Sequence, residues 1–226
     1  MLGESLTARY FEHFGKEYPL PEGGYHADDI KVIAAQLAEE EGDKWLTADP
    51  KERLAHFMDY GKKKELEKID RDLKAYRVTM QSWMHETFFY ENNSKRINDC
   101  LQHMADMGLT YEKDGALWLK TSEILTQQLK AAGKSDEAIE KLGLKDDVLR
   151  RANGFYTYFA ADIAYHRNKF AVRGFDKVIN IWGADHHGHV ARLKGAMDAL
   201  GLDGTHRLDI VLMQLVKLVQ DGEVVR

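Results

Sequence analysis

Cysteine is nearly absent from this sequence: Cys100 stands alone among 226 residues. That excludes an internal disulfide framework and points to a reducing compartment. Proline is scarce, with three residues. Pro19 and Pro21 share a loop with Gly23 and Gly24, and Pro50 marks a helix start. No apolar run approaches the ~18 residues that would span a bilayer. The N-terminus, Met1-Leu-Gly-Glu-Ser-Leu-Thr-Ala-Arg-Tyr10, lacks the basic-then-apolar pattern of a secretory signal. The expected location is cytoplasmic. A positive balance is missing too: 32 Lys and Arg face 37 Asp and Glu, a net charge of -5. Bulk charge therefore gives no support to non-specific nucleic-acid binding.

What is present is regular patterning. Apolar residues at 2, 6, 10, 11 and 14 predict an amphipathic helix stopped by Gly15. Tyr25 to Glu41 predicts a second helix. Asp49-Pro50 supplies an N-cap and a first-turn proline for a third, interrupted near Gly61 and running to about Tyr76. Its Lys62–Lys68 stretch alternates Lys and Glu, which reads as a solvated face rather than a nucleic-acid contact. Val78 to His85 predicts a strand, and Asn93 to Met107 a helix closed by Gly108. Lys113-Asp-Gly between Leu109–Glu112 and Ala116–Leu119 predicts a hairpin. Two short helices follow, over 122–132 and 135–142, then a charged link over 146–151. From Gly154 onward the pattern becomes strand, helix, strand, helix, strand, as in half of a doubly wound sheet.

The chemistry is concentrated in that second part. Phe155–Phe159 reads as an aromatic strand leading into a helix that runs to about Ala171. Tyr158 and Asp162 flank the turn between them. Facing one crevice, they would offer a carboxylate and a phenol to a cation, and a guanidinium suits a carboxylate well. The competing reading makes Asp162 a helix cap and Tyr158 a core residue. Val178 to Trp182 reads as a buried parallel strand, and Val190 to Gly201 as a helix. The intervening Gly183-Ala-Asp-His-His-Gly-His189 would then lie at the carboxyl end of a strand, where open α/β sheets bind ligands. Gly183 allows close backbone approach, Asp185 suits a ribose diol or a cation, and the three histidines can donate, accept or ligate. A metal-dependent phosphoesterase using Asp185, His186, His187 and His189 is one alternative, although neighbours in a single turn rarely converge on one ion. A non-catalytic RNA- or amino-acid-binding module is another. Leu208–Val219 predicts a strand and its extension, and Asp221-Gly222 centres a further hairpin.

Several of these stretches resemble bacterial arginyl-tRNA synthetases. They are Tyr156-Thr-Tyr-Phe-Ala-Ala-Asp-Ile-Ala-Tyr-His166, Gly174–Val190, Val211–Arg226, Asp114–Leu119 and Leu2–Tyr10. The resemblance implies an α/β class I synthetase with a Rossmann-type catalytic domain. Residues 1–153 would form an inserted connective α+β region, and 154–226 the C-terminal half of the nucleotide fold. It implies formation of arginyl-adenylate from L-arginine and ATP (with Mg2+), then transfer to tRNA(Arg). By position, Tyr158, Asp162 and His186 would face arginine. Gly183, Asp185, His189 and Met213 would face ATP. His186-His-Gly-His189 matches the family's first signature motif by letters, but its surroundings match a later strand. The Lys-Met-Ser-Lys-Ser-like loop is not in this sequence. The expectation is therefore an internal catalytic-domain fragment, inactive by itself, without catalytic signature residues or a tightly bound metal, and with self-association open to it.

Overall fold

The computed structural model describes residues 1–225, which fold as an α/β chain of two compact units, 1–83 and 84 onward. Among the described residues, no helix is long and apolar enough to cross a membrane.

The first unit is helical: α1 (Leu2–His13), α2 (Asp28–Glu41) and α3 (Pro50–Ala75). Leu6, Tyr10, Ile30, Ile33, Leu37 and Phe57 make its core. Asp49 caps α3, its carboxylate accepting from the Lys51 and Glu52 amides at 2.9 and 3.1 Å. This is the cap that Asp-Pro predicts. The expected interruption at Gly61 does not occur. Gly61 sits inside α3 because Leu6 and Leu2 pack where its side chain would be. The basic stretch is a paired face: Lys62 meets Asp59, Lys64 meets Glu40, and Lys68 meets Asp29. The strand expected over 78–85 does not form. Val78, Met80 and Trp83 are all exposed there, and without a partner to pair its backbone the stretch has no ladder to join.

The second unit opens with α4 (Thr87–Asp106), which kinks where Asn92, Asn93 and Ser94 take left-handed conformations. Strands β1 (Thr110–Lys113) and β2 (Ala116–Leu119) form the expected hairpin. Its Asp114-Gly115 turn has φ of 53° and 74°, the pair that a type I′ turn requires. Helices α5 (Thr121–Ala131) and α6 (Asp136–Glu140) follow. The segment read as a charged link is strand β3 (Asp147–Arg150), antiparallel to β2. Leu149 is fully buried, and the flanking charges have partners: Asp147 with Thr121, Arg150 with Glu112.

The expected strand over 155–159 is also replaced. Tyr156 makes one bridge to Arg150. Thr157 then caps α7 (Tyr158–Arg167), its Oγ1 accepting from the Ala160 amide. A capping hydroxyl outweighs the strand preference of the aromatic run. The helix continues into a π-helical turn over Asn168–Val172. Strand β4 (Val178–Gly183), α8 (His187–Ala199), α9 (Gly204–Arg207) and β5 (Leu208–Met213) then form a β-α-β unit, with β4 and β5 parallel. β4 is not buried on both faces as expected. Val178 and Asn180 are buried, whereas Ile179 and Ile181 are 62% and 73% exposed. Hairpin β6 (Leu218–Gln220) and β7 (Glu223–Val225) turns at Asp221-Gly222 as expected. The core of this unit runs from Phe89 to Leu208. Buried residues on both sides of 153/154, such as Leu149 and Phe159, pack in this one cluster.

Candidate functional site

Two helix starts and two strand ends meet in the second unit. Tyr158 and Asp162 are at i and i+4 in α7, hence neighbours on one helix face. Neither residue follows the competing reading: Thr157 provides the cap, and Tyr158 is 82% exposed. Asp162 is partly open, with its side chain 39% exposed. Its Oδ2 accepts from Nε2 of His189, in the first turns of α8, at 2.9 Å. His189, expected on the nucleotide side, thus lies against the candidate arginine carboxylate. The edge of its ring meets Phe159 at 5.0 Å between centroids, and Trp182 lies 5.6 Å away.

Beneath Asp162 runs a buried polar chain. The Asp162 carbonyl accepts from Nδ1 of His166 at 2.7 Å. Nε2 of His166 accepts from the Asn180 side-chain amide at 2.7 Å, and Oδ1 of Asn180 accepts from Nζ of Lys169 at 3.1 Å. Each partner has one role left to play, so the chain fixes a neutral His166 protonated on Nδ1. Burial, then the Lys169 charge, pushes His166 down to about 4. Burial likewise pushes Lys169 down to about 8, against the opposing pull of Asp162. Tyr90 is pushed up to about 12 by burial and by Glu86, with Tyr158 and Asp162 contributing.

The other predicted residues occupy the carboxyl ends of the parallel strands. Gly183 and Met213 are register partners across β4 and β5. A 3-10 turn, Ala184–His186, carries the chain from β4 into α8. Asp185 points to solvent, its side chain 81% exposed and 3.8 Å from Nε2 of His186. His186 lies beside Trp182, with ring centroids 5.5 Å apart. Trp182 therefore neighbours both His186, next to Asp185, and His189, on Asp162. Among the described residues, no group of three or more His, Cys, Asp or Glu is placed to hold a metal ion. The geometry does not favour the phosphoesterase alternative, because His189 is committed to Asp162.

Sequence reasoning missed His166, Asn180, Lys169 and Trp182. One signal was available: Asn180 interrupts an otherwise apolar strand, and a polar residue at a buried strand position requires a partner. Cys100 is buried, and burial pushes its thiol up to about 11. It takes no part in the site.

The arrangement offers a fixed, partly open carboxylate and an exposed phenol next to a glycine-led turn at the ends of two parallel strands. No family model matches the chain. It is 47% identical over 224 residues to the arginine–tRNA ligase of Caldanaerobacter subterraneus subsp. tengcongensis, covering 99% of this chain and 36% of that protein. It is 44% identical over 225 residues to the arginine–tRNA ligase of Geobacillus kaustophilus, covering 37% of it. An arginyl-tRNA synthetase structure from Campylobacter jejuni superposes with a TM-score of 0.78 at 32% identity, covering 99% of this chain and 44% of that one. The Thermus thermophilus arginyl-tRNA synthetase shares the fold, with a TM-score of 0.57 at 15% identity over 93% of this chain and 39% of that one. Along nearly its whole length the chain is similar to arginine–tRNA ligases, and it spans a little over a third of the length of the relatives it matches.

Proposed function

We propose that this chain forms the arginine-facing wall and part of the nucleotide-facing wall of an arginine–tRNA ligase. The observation that carries the reading is the Asp162 carboxylate, held by His189 on one oxygen and still open to solvent beside an exposed Tyr158. Among the described residues no Lys or Arg forms an ion pair with Asp162, and a partly desolvated carboxylate of this kind suits a guanidinium. An uncharged isostere would leave it unpaired, which gives selectivity. In this reading β4–α8–β5 is the second half of a Rossmann-type sheet. Tyr158, Asp162 and His186 address arginine. Gly183, Asp185 and Met213 address ATP, with Asp185 at the ribose. His189 contributes from the arginine side rather than from the nucleotide.

The reaction joins the arginine carboxylate to the α-phosphate of ATP with release of pyrophosphate, then passes the arginyl group to a terminal ribose hydroxyl of tRNA(Arg) with release of AMP, in the cytoplasm. For such a displacement the protein contributes positioning and charge stabilisation. Mg2+ would arrive on the phosphates of ATP and requires no cage of protein ligands. The exposed apolar side chains Ile179 and Ile181 on β4 and Val211 and Met213 on β5 support self-association when this chain stands alone.

Calorimetry of this chain with L-arginine, L-citrulline and the Asp162→Ala variant tests the reading. Heat with arginine, none with citrulline, and loss of the arginine signal in Asp162→Ala is the expected pattern. Equal binding of arginine and citrulline would discard the guanidinium assignment.

A further inference from the structure

His189 is itself held from behind. Nη2 of Arg192 donates toward Nδ1 of His189 at 3.3 Å. A guanidinium can only donate, so Nδ1 must accept, and the imidazole proton lies on Nε2, facing Asp162. Arg192 is anchored in turn. Its Nη1 donates to Oδ1 of Asp147 in β3 at 2.5 Å, and its Nε to the Gly188 carbonyl at 3.0 Å. The Asp147 side chain is only 14% exposed, and its second oxygen accepts from Oγ1 of Thr121 at 2.8 Å. The Arg192 guanidinium also lies 5.5 Å from the Phe159 ring, which packs against His189.

We propose that Arg192 and Asp147 are positioning residues for the Asp162 site. Together they fix the His189 tautomer and ring plane, so that one imidazole N–H always points at Oδ2 of Asp162. This deepens the arginine-site reading and rests on it. The consequence is chemical. Oδ2 retains one lone pair and Oδ1 keeps both, so the carboxylate can still receive two parallel guanidinium N–H groups. Its plane, however, is set before the ligand arrives. Without Arg192, His189 can carry its proton on Nδ1, leaving Nε2 as a second acceptor facing the carboxylate. The two would then repel, and Asp162 would turn away. The relay also ties the small antiparallel sheet to the ligand site within the same unit, through β3.

Nitrogen-15 histidine spectra of the ligand-free chain read the tautomer directly, and arginine titrations on the same samples read the consequence. In the unmodified chain, His189 is expected as the Nε2–H tautomer. Arg192→Met and Asp147→Asn should each move it toward a tautomer mixture. Each should also weaken arginine about tenfold, the loss expected when a hydrogen bond to a charged group goes. His189→Gln, which keeps an N–H for Asp162, should hold most of the affinity that His189→Leu loses. A merely structural role would lower thermal stability without moving the tautomer. An unchanged His189 tautomer, or unchanged arginine affinity with Asp162→Ala still defective, would overturn the relay and leave the arginine site standing. Absence of any arginine-selective binding in the unmodified chain would overturn the arginine site, and with it the purpose of the relay.

Discussion

The Asn180 side-chain amide donates to Nε2 of His166 at 2.7 Å, joining a buried strand position to a buried helix position. Both residues are under a tenth exposed, so neither can turn to water for a substitute. Replacing Asn180 by leucine would strand Nε2 of His166 and remove the acceptor of Lys169. Leaving buried polar groups unmade costs about 1–3 kcal/mol each, more than the apolar gain of the leucine side chain at this site. Asn180→Leu is therefore expected to lower the stability of the second unit by about 2 kcal/mol. Hydrogen exchange of the β4 and β5 amides measures this locally. Unchanged protection would mean that the polar chain contributes nothing to the fold.

His166 also sets a window in the pH dependence of stability. Its folded value, about 4, lies below its ordinary 6.5 because burial disfavours the charged ring. Between those two values the unfolded chain takes up a proton at residue 166 that the folded chain refuses. Stability therefore rises with pH across the window, by up to about 3 kcal/mol at its top relative to its bottom. Carboxylates held low by partners, such as Asp146 with Ser122 and Tyr111, act lower down, below the ordinary aspartate value of 3.8. The two contributions separate on the pH axis. Unfolding midpoints measured from pH 7 to 4 should slope in the unmodified chain and flatten in His166→Gln. Equal slopes in both proteins would place the acid loss elsewhere.

Gly61 sets two effects of opposite sign against each other. A glycine inside an exposed helix usually gains about 1 kcal/mol on replacement by alanine. Here a Cβ would lie 2.3 Å from Cδ1 of Leu6, a fully buried side chain with Leu2 packed beside it. Overpacking a filled site costs about 1–3 kcal/mol, so the clash wins. Gly61→Ala is expected to weaken amide protection at Leu6, Tyr10 and Phe57 in the first unit. Stronger protection would show that α1 yields to the added methyl group.

The sequence showed clearly what is local. The Asp49-Pro50 cap, the Asp114-Gly115 and Asp221-Gly222 turns, and the β4-turn-α8 unit all depend on residues within a few positions of one another. What stayed hidden depends on distant partners. β3 read as a charged link because its charges are answered by Arg192, 45 positions away, and by Glu112, 38 positions away. The start of α7 was hidden differently: Tyr156–Phe159 has the composition of a strand, and only the Thr157 hydroxyl marks a cap. The candidate site was half visible for the same reason. Tyr158 and Asp162 are spaced as helix neighbours, whereas His189 reaches Asp162 from 27 positions away. Spacing names candidates, but burial and hydrogen bonds decide which of them meet.

Gly183 separates the stability of the turn from its proposed use. Its φ of -66° and ψ of 150° suit any residue, so an alanine there brings no backbone strain. Yet the new Cβ would lie 2.4 Å from Oδ1 of Asp185. The Asp185 side chain is 81% exposed and free to swing aside. Gly183→Ala should therefore change folding stability by no more than about 0.5 kcal/mol, while displacing the carboxylate assigned to the ATP ribose. Losing a hydrogen bond to a charged acceptor corresponds to about a tenfold loss of affinity. Gly183→Ala and Asp185→Ala should then weaken nucleotide binding alike, with melting temperatures close to that of the unmodified chain. If ATP binds the two variants as tightly as the parent chain, Asp185 does not hold the ribose, and the glycine serves only the turn.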